Sequence, residues 1–120
     1  MKVYILDDEP KVRNGLCAAI HAYKPDWPMP LTAASASEAY EDTRLWEAEL
    51  LFLDVRMPGM SGFELLDKLK ETEPDRDIQA VIVSGYAEFE YAQTAIRLGV
   101  KDYLLKPVSR EKLFALLDRM

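Results

Sequence analysis

Short apolar runs alternate with longer stretches of helical period along the chain, and this alternation constrains the fold more than any other feature. Five such units can be counted. A short apolar run is typical of a strand buried on both faces, and the helix after it provides the crossover that parallel strands need. The sequence therefore predicts an α/β fold in which helices cover both faces of a five-stranded parallel sheet.

The apolar runs place the strands, and the helical stripes follow them. The predicted strands are Val3–Leu6, Leu31–Ala34, Leu50–Leu53, Ala80–Val83 and Asp102–Leu105. The predicted helices begin at Pro10, near Ser37 (running to about Trp46), and at the stripes that start with Phe63, Phe89 and Leu113. Proline suits a first helical turn because its missing N–H has no partner there, and Gly99 can end the fourth helix.

Length and charge narrow the domain count and the class of partner. The chain of 120 residues fits one domain, residues 1–120, and any output domain would lie beyond it. With a net charge of −6 and no long run of Lys or Arg, direct DNA contact is not expected. No segment suggests a membrane span or a signal peptide. The single cysteine, Cys17, is expected as a small core residue, and it favours a cytoplasmic location.

Polar side chains follow four of the predicted strands. Asp7 and Asp8 come after the first, Asp54 ends the third, Ser84 follows the fourth and Lys106 follows the fifth. Taken singly, each would suit a helix cap, a turn or a solvated surface position. In an open parallel sheet, however, ligands bind beyond the carboxyl ends of the strands. The joint placement at that edge therefore favours one site.

The chemistry of these side chains indicates a magnesium-dependent phosphoryl acceptor. Crowded carboxylates repel one another, and a hard divalent cation such as Mg²⁺ removes the conflict by taking oxygen ligands. Asp54 can then attack a phosphoryl donor and form an aspartyl phosphate. Lys106 can pair with phosphoryl oxygens, and the Ser84 hydroxyl can donate a further hydrogen bond.

Four segments carry a family resemblance that extends over the whole chain. They are Asp7-Asp8-Glu9-Pro10, Leu53–Gly62, Ser84-Gly85 and Lys106-Pro107. In this order and spacing they resemble the receiver domain of two-component response regulators. The resemblance implies a doubly wound, flavodoxin-like (CheY-like) fold with strand order 2-1-3-4-5.

The resemblance also implies roles for the acidic residues. Asp54 matches the phosphorylated aspartate, and Asp7 with Asp8 matches the acidic pair that serves Mg²⁺. The main-chain carbonyl of Arg56 matches the third protein ligand of the metal, beside Asp54 itself.

Further matches concern catalysis and switching. Lys106 matches the lysine on the phosphoryl group, Ser84 the switch hydroxyl, and Tyr103 the aromatic residue that turns inward with it. Pro107 is expected to follow a cis peptide bond. Tyr86, like Arg56, is expected to border the site and restrict water.

Partners are likewise implied by the resemblance. A sensor histidine kinase would donate the phosphoryl group, and the face formed by the fourth helix would mediate dimerisation or contact an output domain. Residues 84–92 and 95–108 are similar to receivers fused to AraC-type DNA-binding domains, which implies control of transcription. The segment Trp46–Glu49 departs from the family, because many receivers carry Pro-Asp there.

Three other functions are weighed against this one. A receiver-like module that dimerises constitutively would not need the complete acidic set. A flavin-binding protein of flavodoxin type needs a phosphate-cradling loop after the first strand, where Asp7-Asp8-Glu9 would repel a phosphate. A phosphatase of the haloacid dehalogenase type places a second acid where Arg56 stands.

Overall fold

The computed structural model describes residues 1–120 and contains one five-stranded parallel sheet. Its strands are β1 Val3–Leu6, β2 Leu31–Ala33, β3 Leu50–Asp54, β4 Gln79–Ser84 and β5 Asp102–Leu105. Neighbouring strands pair in the order β2-β1-β3-β4-β5, and every pair is parallel. The predicted doubly wound α/β fold and its strand order are confirmed. The winding reverses between β1 and β3, which is where ligands bind in such sheets.

Helices cover the two faces of the sheet. They are α1 Pro10–Tyr23, α2 Ala36–Glu41, a 3₁₀ helix Thr43–Glu47, α3 Gly62–Thr72, α4 Phe89–Arg97 and α5 Arg110–Asp118. One apolar core lies under α1 and α5, and the other lies under α2, the 3₁₀ helix, α3 and α4. Each central strand contributes alternate side chains to the two cores. None of the helices has both the length and the apolar character needed to cross a membrane.

The second helix begins earlier and ends sooner than the sequence pattern predicts. Ser35, not Ser37, is the N-cap, and its hydroxyl accepts a hydrogen bond from the Glu38 amide at 3.1 Å. The helix stops at Asp42, whose carboxylate accepts from the Arg44 amide at 3.0 Å and starts the separate 3₁₀ helix. The prediction of one helix to about residue 46 was wrong because this local side-chain contact competes with helix continuation.

The apolar stripe of α4 predicts the helix correctly but not the burial of its face. Phe89 is 75% exposed and Ile96 is 80% exposed, whereas Ala95 is the one residue of the helix that is fully buried. The stripe turns away from the core toward β5, an edge strand, and leaves an apolar surface. Gly99, with φ of 69°, follows the helix in the left-handed conformation that glycine tolerates.

Cys17 lies at the margin of the core rather than inside it. The residue is partly buried and packs against the α1/α5 core, and its Sγ is 3.8 Å from the Pro30 carbonyl oxygen. Trp27 and Trp46 pack at the edges of the two cores, as predicted, and His21 is exposed.

Candidate functional site

The chain buries three polar side chains, and all of them lie at the carboxyl edge of the sheet. Asp7 is 1% exposed, Asp54 is 3% exposed and Ser84 is fully buried. They follow or end three adjacent strands, β1, β3 and β4. Burying polar groups costs free energy unless partners satisfy them, so such a cluster in an otherwise apolar interior indicates a site.

Four carboxylates converge at this edge. One oxygen each from Asp7, Asp8, Glu9 and Asp54 lies within 4.8 Å of the other three. Asp8 and Glu9 are exposed, so the cluster opens to solvent on one side. Glu9 also occupies the N-cap position of α1, but its side chain makes no capping hydrogen bond. The Glu9 carboxylate is therefore directed toward the shared site rather than toward the helix.

Lys106 supplies the counter-charge for this cluster. Its Nζ lies 2.7 Å from Glu9 Oε1, 3.0 Å from Asp7 Oδ2 and 3.2 Å from Asp54 Oδ2. Burial opposes the charged form of Lys106, but the hydrogen bonds to Glu9 and Asp7 outweigh it and raise the lysine pKa. The ammonium is therefore fixed between the two buried aspartates.

One lysine does not neutralise four carboxylates. Burial, together with the charge of Asp7, raises the pKa of Asp54 to about 7, although Lys106 acts in the opposite direction. Without a further cation, these surroundings therefore disfavour the charged form of Asp54.

Two oxygen atoms at the site accept no well-aligned hydrogen bond from the protein. Asp7 Oδ2 is buried and receives no aligned hydrogen bond, although Lys106 Nζ lies 3.0 Å from it. The Arg56 carbonyl, two residues after Asp54, accepts no hydrogen bond from the protein. Free carboxylate and carbonyl oxygens are what Mg²⁺ prefers, so the donor set fits that ion.

Ser84 and Tyr103, the two predicted switch residues, meet at the same peptide segment. The Tyr86 amide donates to Ser84 Oγ at 3.1 Å, and the Tyr103 hydroxyl donates to the Tyr86 carbonyl at 2.7 Å. Tyr103 is half-buried and packs against the α2/α3/α4 core. A movement of the segment at Tyr86 would therefore be felt by both side chains.

Arg56, two residues after Asp54, stacks on Tyr86. The guanidinium carbon of Arg56 lies 3.9 Å from the centre of the Tyr86 ring. The guanidinium also donates to the Tyr91 hydroxyl at 2.6 Å and to Glu88 Oε1 at 2.7 Å. The side chain of Arg56 is thus held by residues near the start of α4, while its main-chain carbonyl is free of protein hydrogen bonds. The sequence did not indicate these side-chain partners.

The sequence also gave no role to Glu9, Gly62 and Arg13. Glu9 makes the shortest contact to Lys106, and Arg13 donates to the main-chain oxygen of Asp7 at 2.8 Å. A Cβ on Gly62 would overlap the carbonyl oxygen of Asp54, so α3 can start against the end of β3 only with glycine there. Both Glu9 and Gly62 stand inside the segments that carry the family resemblance, and that was the available signal. The Lys106–Pro107 peptide bond is cis.

Comparison with known proteins identifies the relatives of this chain. The model of the response regulator receiver domain matches residues 3–118. Transcriptional regulatory protein YesN of Bacillus subtilis is 34% identical, over 99% of this chain and 32% of its own length. A response regulatory protein of Staphylococcus epidermidis is 40% identical, over 98% of this chain and 45% of its own length. The chain thus spans about a third to a half of these relatives.

A solved structure agrees with these sequence relatives. The receiver domain of AraT, a response regulator from Geobacillus stearothermophilus, superposes with a TM-score of 0.84 and is 36% identical. The match covers 98% of this chain and 90% of that one. Fold and sequence therefore indicate the same relationship.

Proposed function

The chain belongs to the response regulator receiver family, and on that premise we propose that Asp54 accepts a phosphoryl group from a sensor histidine kinase. The observation that carries the proposal is the position of Lys106 Nζ, 3.0 Å from Asp7 and 3.2 Å from Asp54. A buried carboxylate beside a fixed ammonium, at a solvent-open edge, can act as a nucleophile toward an anionic donor.

The transfer itself is a displacement at phosphorus. A carboxylate oxygen of Asp54 attacks, the phosphorus–nitrogen bond to the donor imidazole breaks, and the nitrogen keeps the electron pair and takes up a proton. Only the carboxylate form of Asp54 attacks, and the burial that raises the pKa of Asp54 disfavours that form. Lys106 then exchanges its contact with Asp54 for one with a phosphoryl oxygen, where its charge offsets the added negative charge.

Asp7, Asp8, Asp54 and the Arg56 carbonyl are the residues that would hold Mg²⁺. When bound, the ion offsets the negative charge of the carboxylates and of the incoming phosphoryl oxygens. The unsatisfied Asp7 Oδ2 supports this assignment. The chain's own acids orient the acceptor oxygen and keep Lys106 in place.

Ser84 and Tyr103 would change position in response to phosphorylation of Asp54. The Ser84 oxygen accepts a hydrogen bond from Tyr86, so its own hydrogen is available for a phosphoryl oxygen. A shift of Ser84 toward that group would move the segment at Tyr86, whose carbonyl holds Tyr103. Phosphorylation would in this way bias an equilibrium between two arrangements.

The proposed contact surface for dimerisation is the groove between α4 and β5. It has a volume of about 420 Å³, and apolar side chains form most of its lining. Phe89, Ile96 and Leu105 are its large exposed apolar residues. A contiguous apolar patch of this kind is typical of an interaction site, and a second copy of the domain is the proposed occupant.

The output is proposed to be transcription. Relatives such as YesN are named transcriptional regulatory proteins and are two to three times the length of this chain. We extend the proposal to an AraC-type DNA-binding domain, on the resemblance in residues 84–92 and 95–108, and to a cytoplasmic location. With a net charge of −6, this domain itself is not proposed to touch DNA.

Phosphoryl labelling tests the proposal. The wild type is incubated with phosphoramidate and Mg²⁺ and its intact mass is measured, beside Asp54→Asn and the matched control Asp26→Asn in an exposed loop. Wild type and control are expected to gain one phosphoryl group, and Asp54→Asn none. Equal labelling of Asp54→Asn would contradict the assignment. No labelling of any form, together with no Mg²⁺ binding, would favour the constitutive binding module.

A further inference from the structure

Arg56 joins two parts of the molecule that are distant in sequence. It follows β3, whereas its side-chain partners are Tyr86 and Glu88, which precede α4, and Tyr91, which lies in the first turn of that helix. Its Nε donates to the Tyr91 hydroxyl at 2.6 Å, its Nη2 donates to Glu88 Oε1 at 2.7 Å, and its Cζ lies 3.9 Å from the centre of the Tyr86 ring. A planar guanidinium suits this combination of forked donation and stacking, which an ammonium cannot reproduce.

Helix α4 has few other contacts that fix its position. Ala95 is its one fully buried residue, and its N-cap, Glu88, makes no side-chain capping bond. By contrast, α3 buries four residues and is capped by Ser61. Two further ties reach the start of α4: an edge-to-face contact between Phe63 and Tyr91, with ring centres 6.0 Å apart, and the bond from Tyr103 to the Tyr86 carbonyl.

Because few contacts fix α4, each of them has a large share in holding its position. An exposed ion pair alone contributes little, but Arg56 combines two charge-assisted hydrogen bonds with a stacking contact on one side chain. The conformational entropy of the Arg56 side chain is lost only once, although three contacts form. Arg56 is thus the main polar link between the acceptor loop and α4.

We propose that Arg56 is a positioning residue that couples the acceptor site to α4, with its main chain beside Asp54 and its side chain holding the start of the helix. The coupling rests on the proposed function, because a change at Asp54 must reach the Arg56 main chain to be transmitted. The holding of α4 by the side chain does not rest on it and exists in the unmodified protein. Tyr91 and Glu88 are the receiving groups of this link.

Amide hydrogen exchange tests the holding of α4 and its coupling to Asp54 separately. Exchange in residues 88–97 is followed in the wild type, in Arg56→Gln and in the control Arg97→Gln, which removes an exposed arginine from the last turn of the same helix. Arg56→Gln is expected to speed exchange at the start of α4 by about tenfold, with Arg97→Gln within about twofold of the wild type. The exchange rate of Tyr91→Phe should lie between those of the two arginine variants. Adding Tyr91→Phe to Arg56→Gln should increase the exchange rate little further, because both changes remove the same hydrogen bond.

The second part uses Mg²⁺ with beryllofluoride, a mimic of the phosphoryl group. In the wild type the mimic is expected to slow exchange both beside Asp54 and in α4. In Arg56→Gln the protection beside Asp54 should remain while that in α4 is lost, which a merely destabilised protein would not produce. Unchanged α4 exchange in free Arg56→Gln overturns the holding role. Full α4 protection in the variant overturns the coupling, and no protection anywhere in the wild type overturns the proposed function together with the coupling.

Discussion

Replacing Asp54 by asparagine is expected to stabilise the metal-free domain, although it removes a side chain proposed for the reaction. Asp54 is buried beside Asp7, and these surroundings raise its pKa from 3.8 to about 7. The folded state therefore disfavours the carboxylate that the unfolded chain carries freely at neutral pH. Asparagine has a similar shape and no charge, so the substitution removes this penalty.

The size of the effect follows from the pKa change. The rise of the Asp54 pKa from 3.8 to about 7 corresponds to about 4 kcal/mol at neutral pH, which is an upper limit. Lys106 loses one of its three partners in the variant, and the site is open to water on one side. We therefore expect the free energy of unfolding to rise by about 2 kcal/mol, or the Tm by roughly 8 °C for a domain of this size.

The pH dependence has a definite sign. A carboxyl with a raised pKa keeps a proton in the folded state that the unfolded chain releases, so wild-type stability falls as pH rises from about 4 to 7. Asp54→Asn lacks this dependence. The advantage of the variant is therefore largest above about pH 7 and shrinks by more than half at about pH 5.

Urea unfolding in EDTA, at about pH 7.5 and pH 5, measures the stability difference between Asp54→Asn and the wild type. The control Asp26→Asn is expected to change the free energy of unfolding by less than about 0.5 kcal/mol. A variant less stable than the wild type at the higher pH would refute the reasoning. So would an advantage that is equal at both pH values, because the carboxylate would then not be the source of the penalty.

Three further changes have defined outcomes. Gly62→Ala should lower the free energy of unfolding in urea by more than about 2 kcal/mol, because the added Cβ would overlap the Asp54 carbonyl oxygen. Gly15→Ala, with open space around it, should raise that free energy by roughly 0.5–1 kcal/mol, and equal effects of the two changes would contradict this reasoning. Asp42→Asn should lower the free energy of unfolding at pH 7 by about 1 kcal/mol. The neighbouring Arg44 lowers the Asp42 pKa from 3.8 to about 2, so the wild type loses this stability as pH falls through that range and the two proteins become equally stable. A stability difference that does not change with pH would contradict this reasoning. Millimolar Mg²⁺ should raise the Tm of the wild type in calorimetry, and Asp7→Asn should need at least about tenfold more Mg²⁺ for the same rise. An equal response of the two proteins would show that Asp7 is not a ligand of the metal.

The fold and the acidic edge could be predicted because both follow from local pattern. A parallel sheet places the ends of its strands together, so Asp7, Asp54 and Ser84 had to meet once the strands were correctly located. The same rule brought Lys106 to the edge from the fifth strand, and the structure adds the distances.

What could not be predicted depends on contacts between distant segments. Helix periodicity identified Phe89 and Ile96 as one face, but no local signal states whether a face packs inward or remains exposed. The end of α2 depends on Asp42, whose carboxylate also accepts from the buried Tyr4 hydroxyl at 2.9 Å. The Arg56 contacts join residues more than thirty positions apart, beyond any sequence window.

The chemical identity of the phosphorylated residue tests the central claim most directly. Wild-type protein labelled with phosphoramidate and Mg²⁺ is treated with borohydride, which reduces an acyl phosphate to the alcohol, and its peptides are then sequenced by mass spectrometry. Reduction is expected at Asp54, where homoserine replaces aspartate, and not at Asp7, Asp8 or Glu9. Homoserine at one of the other acids, or label that resists borohydride, would contradict the assignment of Asp54 as the phosphoryl acceptor.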